Sequence, residues 1–440
     1  MRRIVSSLAI ATTAVLVTAG CSAGSGGSSG IDKSAPDKLS GTVSLWHFFS
    51  DQNADVMKQV VASFEKKYPD VKVELHDGQD DTKVQKAISA GQPIDVAVSS
   101  SSQPVGSFCS SGAFRDLQPF IDRDKVDLDD IPPAVRDYTQ YKGKRCTLPM
   151  LADSTGMFYN TDLFKAAGIA SPPKTLEELE ADGLALTKYN PDGSIRQLGF
   201  NPLIDFYENG VGHWQPMING TFLNADGTSA IGGSDAWKKL ITWQKAYVDR
   251  IGYAKLRAFT SGLGQESQAS NAFFTGQVAI TIDGEWRVGK ITKMKPGLPY
   301  ATAPSPVMDG VGKYGASSIT GNVAGIGRGS KVPELAWALL KYLTTDTAVQ
   351  VELGNGVSNI PTLTSALKSP DLKVSPVYKT FVVGAADPHT VTFPATPDGA
   401  AYLQTFQKAW ADYQEKGGDV NAFTANLDIT IDNASKLAGP

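Results

Sequence analysis

The sequence predicts an α/β protein in which the strands of a parallel sheet alternate with helices. Between residues 42 and 102, segments whose apolar side chains recur every second residue alternate with segments of helical spacing. The length of 440 residues favours two or three domains over one small core. The hydrophobic fraction of 41% and the charged fraction of 20% exclude a disordered chain and a membrane protein with several spans.

The N-terminus predicts an export signal. Arg2 and Arg3 precede a mostly apolar run, residues 4–17, which is too short to span a bilayer comfortably. Small residues then lead to Cys21, a pattern that resembles the bacterial lipobox, in which the cysteine sulfur carries a lipid. The leucine usual three positions before that cysteine is here Thr18. An ordinary cleaved signal peptide is the alternative, although no A-x-A site ends the apolar run.

A polar segment, residues 22–40, follows the predicted lipid site. Its first nine residues are only Ser, Gly and Ala, so the segment cannot bury enough apolar surface to fold. A flexible chain of this length reaches about 25 Å. We therefore expect a tether that holds a globular domain near the membrane.

The other two cysteines, Cys109 and Cys146, form an even pair once Cys21 carries a lipid. Thiols outside the cytoplasm are usually oxidised, which predicts a disulfide between them. Two free buried thiols are the alternative. We expect no metal site, since neither cysteine has a histidine or second cysteine at ligand spacing.

The first region after the tether has the element order of a parallel sheet. Val56, Val60 and Phe64 recur at helical spacing, and the valines after Pro69 alternate with charged residues. The predicted elements are a strand over 42–46, a helix over 54–68, a strand over 71–75, a helix over 82–90 and a strand over 94–98.

Two loops of this region are expected to bind a ligand, because ligands sit beyond the carboxyl ends of parallel strands. The candidate residues in these loops are Phe48, Phe49, Ser50, Asp51, Ser100 and Ser101.

A second region of the same class begins after Cys146. Thr175 and Glu178 have the spacing of a capping box, and Ser234 is placed to cap a second helix. The other predicted elements are strands over 157–160 and 278–282 and a helix over 334–343 that begins near Pro333.

Five segments, taken in order, resemble the family 1 extracellular solute-binding proteins. They are SLWHFFSDQNADVMKQVVASFEKKYPDVKVEL (44–75), GMFYNTDLFKAAGI (156–169), AITIDGEWRV (279–288), GNVAGIG (321–327) and AWALLKYLT (336–344). The resemblance covers about residues 41 to 440. It implies a two-lobed periplasmic-binding-protein-like fold, in which each lobe is a mixed or parallel sheet flanked by helices and a hinged cleft lies between them.

The resemblance also implies where the chain crosses between lobes: near 148–153, near 315–322 and between 358 and 367. The resulting boundaries are a signal peptide (1–20), a lipid-anchored tether (21–40), lobe one (41–150 plus 320–366) and lobe two (151–319 plus 367–440). The function it implies is capture of a sugar, a mono- or oligosaccharide, for an ABC importer. We expect a monomer without cofactor or metal.

A sugar site needs aromatic plates for C–H faces and polar groups for hydroxyls. By resemblance, Trp286 matches the family's stacking tryptophan, Trp214 lies in a segment that often lines the pocket, and Tyr402 matches a late aromatic position. Asp153 falls where a hinge-side acidic group accepts sugar hydroxyls. Asn322 is a further polar candidate.

Three other functions remain open. A surface glycosidase would need two carboxylates about 5 to 10 Å apart, and Asp153 with Asp283 or Glu285 is the pair to inspect. A glycerol-phosphate-like solute would use Arg287, beside Trp286. A solute sensor would keep the same fold. The acidic chain, with net charge −4 and no basic cluster, excludes nucleic acid as an expected partner.

Overall fold

The computed structural model describes residues 34–206, 208–264 and 268–438. The predicted signal peptide, the lipid site at Cys21 and most of the predicted tether lie outside the described residues. Among the described residues we find no helix with the length and apolar character that a bilayer span requires.

The described residues contain ten strands. They are β1 (Gly41–His47), β2 (Val71–His76), β3 (Val96–Ser99), β4 (Leu148–Asn160), β5 (Lys188–Tyr189), β6 (Ile195–Phe200), β7 (Val278–Gly284), β8 (Tyr300–Ala303), β9 (Ile319–Ile326) and β10 (Ile360–Pro361).

Seventeen α-helices accompany them in the same part of the chain. They are α1 (Asp51–Lys67), α2 (Asp81–Ser89), α3 (Val105–Ser110), α4 (Gln118–Asp124), α5 (Pro133–Tyr138), α6 (Thr161–Ala166), α7 (Leu176–Leu186), α8 (Val211–Trp214), α9 (Asp235–Ile251), α10 (Tyr253–Thr260), α11 (Trp286–Met294), α12 (Pro333–Thr345), α13 (Thr347–Val357), α14 (Thr364–Leu367), α15 (Pro376–Ala385), α16 (Ala401–Lys416) and α17 (Val420–Ala438).

The strands form one hydrogen-bonded path in the order β2-β1-β3-β9-β4-β7-β6-β5, and β10 and β8 pair with β4 outside it. β1 is parallel to β2 and β3, whereas β9 is antiparallel to β3 and β4. β7 is antiparallel to β4 and parallel to β6. The sheet is therefore mixed, and the predicted α/β class with flanking helices is confirmed.

β4 belongs to two halves of the sheet. From Leu148 to Ser154 it pairs with β9, and from Thr155 to Asn160 it pairs with β7 and β8. We call β2, β1, β3, β9, β10 and the start of β4 the first sheet half, and the remaining strands the second sheet half. The start of β4, the start of β9 and all of β10 lie in the three segments expected to cross between lobes. The lobe boundaries stay a prediction.

Local sequence signals explain most elements. Val43 and Leu45 on one face of β1 are fully buried, and the apolar face of α1 belongs to the same buried cluster. The capping box at Thr175 and Glu178 is present, and the Ser234 side chain accepts the Trp237 backbone N–H at the start of α9. β4, however, is 13 residues long and begins nine residues before the strand predicted over 157–160.

Three hydrophobic clusters fill the molecule. One surrounds β1, α1 and α12 in the first sheet half, and another contains Trp214, Trp237 and Trp410 beside the second sheet half. The third joins the halves, since Phe158 on β4 and Phe381 on α15 belong to it together with residues of the first half. The predicted disulfide between Cys109 and Cys146 is confirmed and lies in this third cluster.

Candidate functional site

A cleft of about 1450 Å³ lies between elements of the two sheet halves. The first half supplies the N-terminal end of α1 (residues 50–53) and the end of α13 (354–358), and α11 of the second half faces them. The segment 372–378, which leads into α15, completes the lining. Trp286 and the expected ligand loop before α1 therefore share one cleft.

Trp286 is half-buried at the start of α11, and only Glu285 separates it from β7, whose seven residues are all buried. A β-carbon at Gly284 would overlap the Trp286 ring, so the ring lies over the backbone of the glycine. Only glycine leaves room for this placement. The end of a rigid, buried strand thus presents an aromatic face to the cleft.

A buried charge cluster lies behind Trp286. The Arg287 guanidinium is fully buried and forms ion pairs with Asp283 and Glu208. Thr281 donates to Glu208 at 2.6 Å, and Arg287 also donates to Asn271 at 3.3 Å. Two carboxylates therefore neutralise Arg287. This corrects the glycerol-phosphate alternative, which needed that cation for a ligand.

Two carboxyl groups meet where β4 passes from one sheet half to the other. Asp153 and Glu285 are within hydrogen-bonding reach of each other. Burial raises the pKa of Asp153 to about 6, against partly compensating hydrogen bonds from Asn359 and Glu285. Burial, followed by the charge of Asp153, raises the pKa of Glu285 well above its usual range. The pair holds a proton more tightly than isolated carboxyls do.

In the first expected ligand loop, residues 48–51, two residues line the cleft and two pack in the core. Ser50 and Asp51 are exposed and line the cleft. Phe49 is buried in the core of the first sheet half, and Phe48 is half-buried with its ring centroid 4.2 Å from that of Phe49. The two phenylalanines pack on each other and on the core of the first sheet half, and neither lines the cleft.

The second expected loop lies outside the lining of this cleft. Asn322 on β9 is buried and donates to the Ser100 carbonyl at 3.0 Å, and the Ser100 hydroxyl donates to Asp81 at 3.2 Å. Ser101 is half-buried, and its hydroxyl accepts the Gln103 backbone N–H. Asn322 and the Ser100 loop are therefore brought together by a hydrogen bond that tethers the loop to β9.

Trp214 and Tyr402 are placed in the core, contrary to what the resemblance led us to expect. Trp214 has no exposed surface; its indole N–H donates to the Asn209 carbonyl at 3.1 Å, and its ring lies 5.8 Å from that of Trp410. Tyr402 is buried, and its hydroxyl donates to the Pro394 carbonyl at 3.0 Å. Neither offers an aromatic face to a ligand in this conformation, so we drop both from the site.

Several lining residues were missed by the sequence analysis. Lys290 and Lys293 on α11 line the cleft beside Trp286. Their spacing of four and seven residues from Trp286 places all three on one helical face, a signal that could have found them. The residues 354–358 and Tyr378 come from distant parts of the chain and carry no such local signal.

Comparisons with known proteins agree with this architecture. A family model described as bacterial extracellular solute-binding protein matches residues 59–380. A maltotriose-binding protein of Pyrococcus abyssi is 25% identical over 370 residues, covering 81% of this chain and 74% of that protein.

Two solved structures share the fold. The structure named CpMnBP1 with mannotriose bound is 26% identical, with a TM-score of 0.75 over 89% of this chain and 99% of that one. The sugar-binding protein MalE of Xanthomonas citri is 22% identical, with a TM-score of 0.73 over 90% and 98% of the two chains.

Proposed function

This chain belongs to the bacterial extracellular solute-binding proteins, and from that premise we propose that it captures a neutral mono- or oligosaccharide for an ABC importer. The family model covers well over half of the chain. The relative from Pyrococcus abyssi is named a maltotriose-binding protein, and one of the similar solved structures contains bound mannotriose. An oligosaccharide is therefore the ligand class that these similarities favour.

The observation that carries the proposal is the placement of Trp286. Its ring stands at the end of β7, faces the cleft and lies opposite the exposed Ser50 and Asp51 of α1. A sugar needs one flat apolar surface for its C–H face and polar groups for its hydroxyls. We propose that Trp286 stacks on the sugar and that Ser50, Asp51 and Asp153 contact its hydroxyls.

Capture follows from closure of the two lobes, which we propose to span 41–150 plus 320–366 and 151–319 plus 367 to the C-terminus. Solute binds one lobe first, and closure adds the contacts of the other and excludes water. The ligand can drive closure only through its preference for the closed form. The importer would distinguish the closed, loaded shape from the empty one.

The extracellular family places the protein outside the cytoplasm. We propose that a lipid on Cys21 anchors it to the membrane, that the segment up to residue 40 is the tether, and that the protein acts as a monomer. Such an anchor would keep the binding domain close to the membrane subunits of its importer.

We further propose that the protein releases its sugar unaltered. Glycosidases hold their two carboxyl groups about 5 to 10 Å apart. Asp153 and Glu285 are within hydrogen-bonding reach of each other, and Asp283 is occupied by Arg287. Both arrangements favour binding over glycoside hydrolysis.

A thermal-shift screen tests the proposed ligand class. Neutral mono-, di- and trisaccharides are compared with sugar phosphates as ligands of the purified protein. We expect at least one neutral sugar, and no sugar phosphate, to raise the melting temperature. Stabilisation by sugar phosphates alone would refute the proposal, as would the absence of any stabilising sugar.

A further inference from the structure

Glu285 is fixed to the strand that carries Asp153. The Ser154 backbone N–H donates to Glu285 Oε2 at 2.8 Å, and the Glu285 backbone N–H donates to the Ser154 carbonyl at 3.2 Å. Glu285 itself has no exposed surface. Its carboxyl group therefore lies next to that of Asp153 at the point where β4 changes sheet half.

The other oxygen of this carboxyl group, Glu285 Oε1, is buried and has no hydrogen-bond donor among the described residues. A buried carboxylate oxygen without a donor is costly. The Asp153 carboxyl lies within reach of Glu285, but it can donate only if one of the two groups is protonated. A single proton between them satisfies both groups.

Among the described residues, no lysine or arginine forms an ion pair with Asp153 or Glu285. The titratable groups that act on it are Tyr138 of α5 and Tyr378 of α15, whose buried hydroxyl groups have no hydrogen-bond partner among the described residues. The nearest cation along the chain, Arg287, is engaged by Asp283 and Glu208. Two ionised carboxylates at this place would repel each other without compensation.

The pair lies behind the lining of the cleft and is linked to it by a hydrogen bond. Asp153 is half-buried and accepts a hydrogen bond from Asn359 at 3.0 Å. Asn359 follows Ser358, which lines the cleft, and Tyr378 lines its other side. A movement of the Asp153 carboxyl would therefore reach the lining through Asn359.

We propose that Asp153 and Glu285 share one proton and that Glu285 thereby positions Asp153 for the ligand, so that sugar capture weakens when the proton is lost. This inference rests on the proposed function for its link to the sugar. Glu285 is a positioning residue, since it acts through Asp153 and has no surface in the cleft.

The sign of the pH dependence follows from the raised pKa values of both groups. In the unfolded chain both carboxyls titrate near pH 4, at about their ordinary values. In the folded state the pKa of Asp153 is raised to about 6 and that of Glu285 is raised well above its usual range, so the folded pair holds protons that the unfolded chain has already lost. Because the folded state binds more protons in this window, its stability falls as the pH rises from about 4 through the pKa of the pair.

Ligand-free thermal unfolding between about pH 5 and pH 9 tests the shared proton without any sugar. We expect the wild-type melting temperature to fall by about 2 °C per pH unit relative to Glu285→Gln, over the window in which the pair titrates. The glutamine amide donates permanently to Asp153 and still accepts from Ser154. In Asp153→Asn the asparagine amide is the permanent donor, and Glu285 is the acceptor. We expect the melting temperature of this variant to depend on pH in the same way as that of Glu285→Gln.

Glu352→Gln, at an exposed glutamate of α13, is the matched control and should follow the wild type. If Glu285→Gln and Asp153→Asn also follow the wild-type profile, the proton is not shared and the inference is overturned.

Calorimetric titration with the neutral sugar found in the screen tests the link to capture. We expect the wild-type affinity to fall about tenfold between pH 6 and pH 8, and that of Glu285→Gln to change less than about twofold. Equal pH profiles for the two proteins would overturn the role of Glu285 in capture. A wild type that binds no sugar refutes the proposed function and this link together, whereas the unfolding profiles still decide whether the proton is shared.

Discussion

Two buried carboxylate clusters differ in their counter-charges. Asp124, at the end of α4, accepts hydrogen bonds from Arg123 at 2.8 Å, Lys341 at 2.5 Å and the Trp337 indole at 2.9 Å. Burial alone would raise the pKa of Asp124, but these donors outweigh burial and lower that pKa to about 2. Asp153 and Glu285 lie beside another carboxyl group instead of beside cations, and burial raises the pKa values of both.

The difference separates a structural cluster from the cluster to which we assign a role in ligand binding. The Asp124 cluster is compensated and fastens α4 to α12 on the side of the first sheet half. The Asp153 cluster is joined through Asn359 to the segment that lines the cleft and is left uncompensated, as is common where a protein needs a titrating or ligand-binding group. The Arg287 cluster behind Trp286 belongs to the compensated kind.

The largest expected effect comes from breaking a compensated cluster. Arg287→Met leaves Asp283 and Glu208 buried without their cation, and we expect the free energy of unfolding to fall by about 3–5 kcal/mol. Urea unfolding measures it. Arg250→Met is the control, because Arg250 pairs with Glu180 at the surface and should cost less than about 1 kcal/mol. Similar losses for both variants would contradict the distinction between the clusters.

The next effect concerns Asp124, whose pH dependence should oppose that of the Asp153 pair. Since its pKa is lowered in the folded state, its contribution is full above about pH 4 and is lost as the pH falls towards 2. Asp124→Asn should lower the free energy of unfolding by about 2 kcal/mol at neutral pH, and by less in acid. Urea unfolding at several pH values measures this.

Asp371→Asn, at an exposed aspartate, is the control for that series and should change little at any pH. An Asp124→Asn loss that stays constant from neutral to acid pH would show that its charge contributes nothing.

The smallest effect is expected for Lys341→Met. The Lys341 side chain is 39% exposed, and Arg123 and Trp337 still donate to Asp124 in its absence. We expect a loss below about 1 kcal/mol by urea unfolding. A loss as large as that of Asp124→Asn would mean that this single ammonium group, rather than the set of three donors, keeps Asp124 ionised.

The sequence was sufficient for features that depend on neighbouring residues. Helix α1, the capping box at Thr175 and the strand that ends before Trp286 all follow from short-range periodicity or spacing. The disulfide followed from counting cysteines. The full length of β4 could not be predicted from the sequence. Its first half is a buried apolar run, and its pairing with β9 connects residues far apart in sequence.

The same limit applies to the candidate site. Trp286 and Trp214 look alike as aromatic residues in loops, yet one lies over Gly284 in the cleft and the other inside a cluster with Trp410. Whether Trp286 or Trp214 is exposed depends on helices from distant parts of the chain that pack against them. Asn359 and Tyr378 reach Asp153 and Glu285 for the same reason, without any local pattern.

Calorimetric titration of the wild type, Trp286→Ala and Trp214→Phe with the sugar that binds best tests the central claim most directly. We predict that Trp286→Ala weakens binding by about 2–4 kcal/mol through lost stacking and burial, with the melting temperature little changed. Trp214→Phe should lower the melting temperature and keep the affinity, since Trp214 has no surface in the cleft. Unchanged affinity in Trp286→Ala would contradict the account.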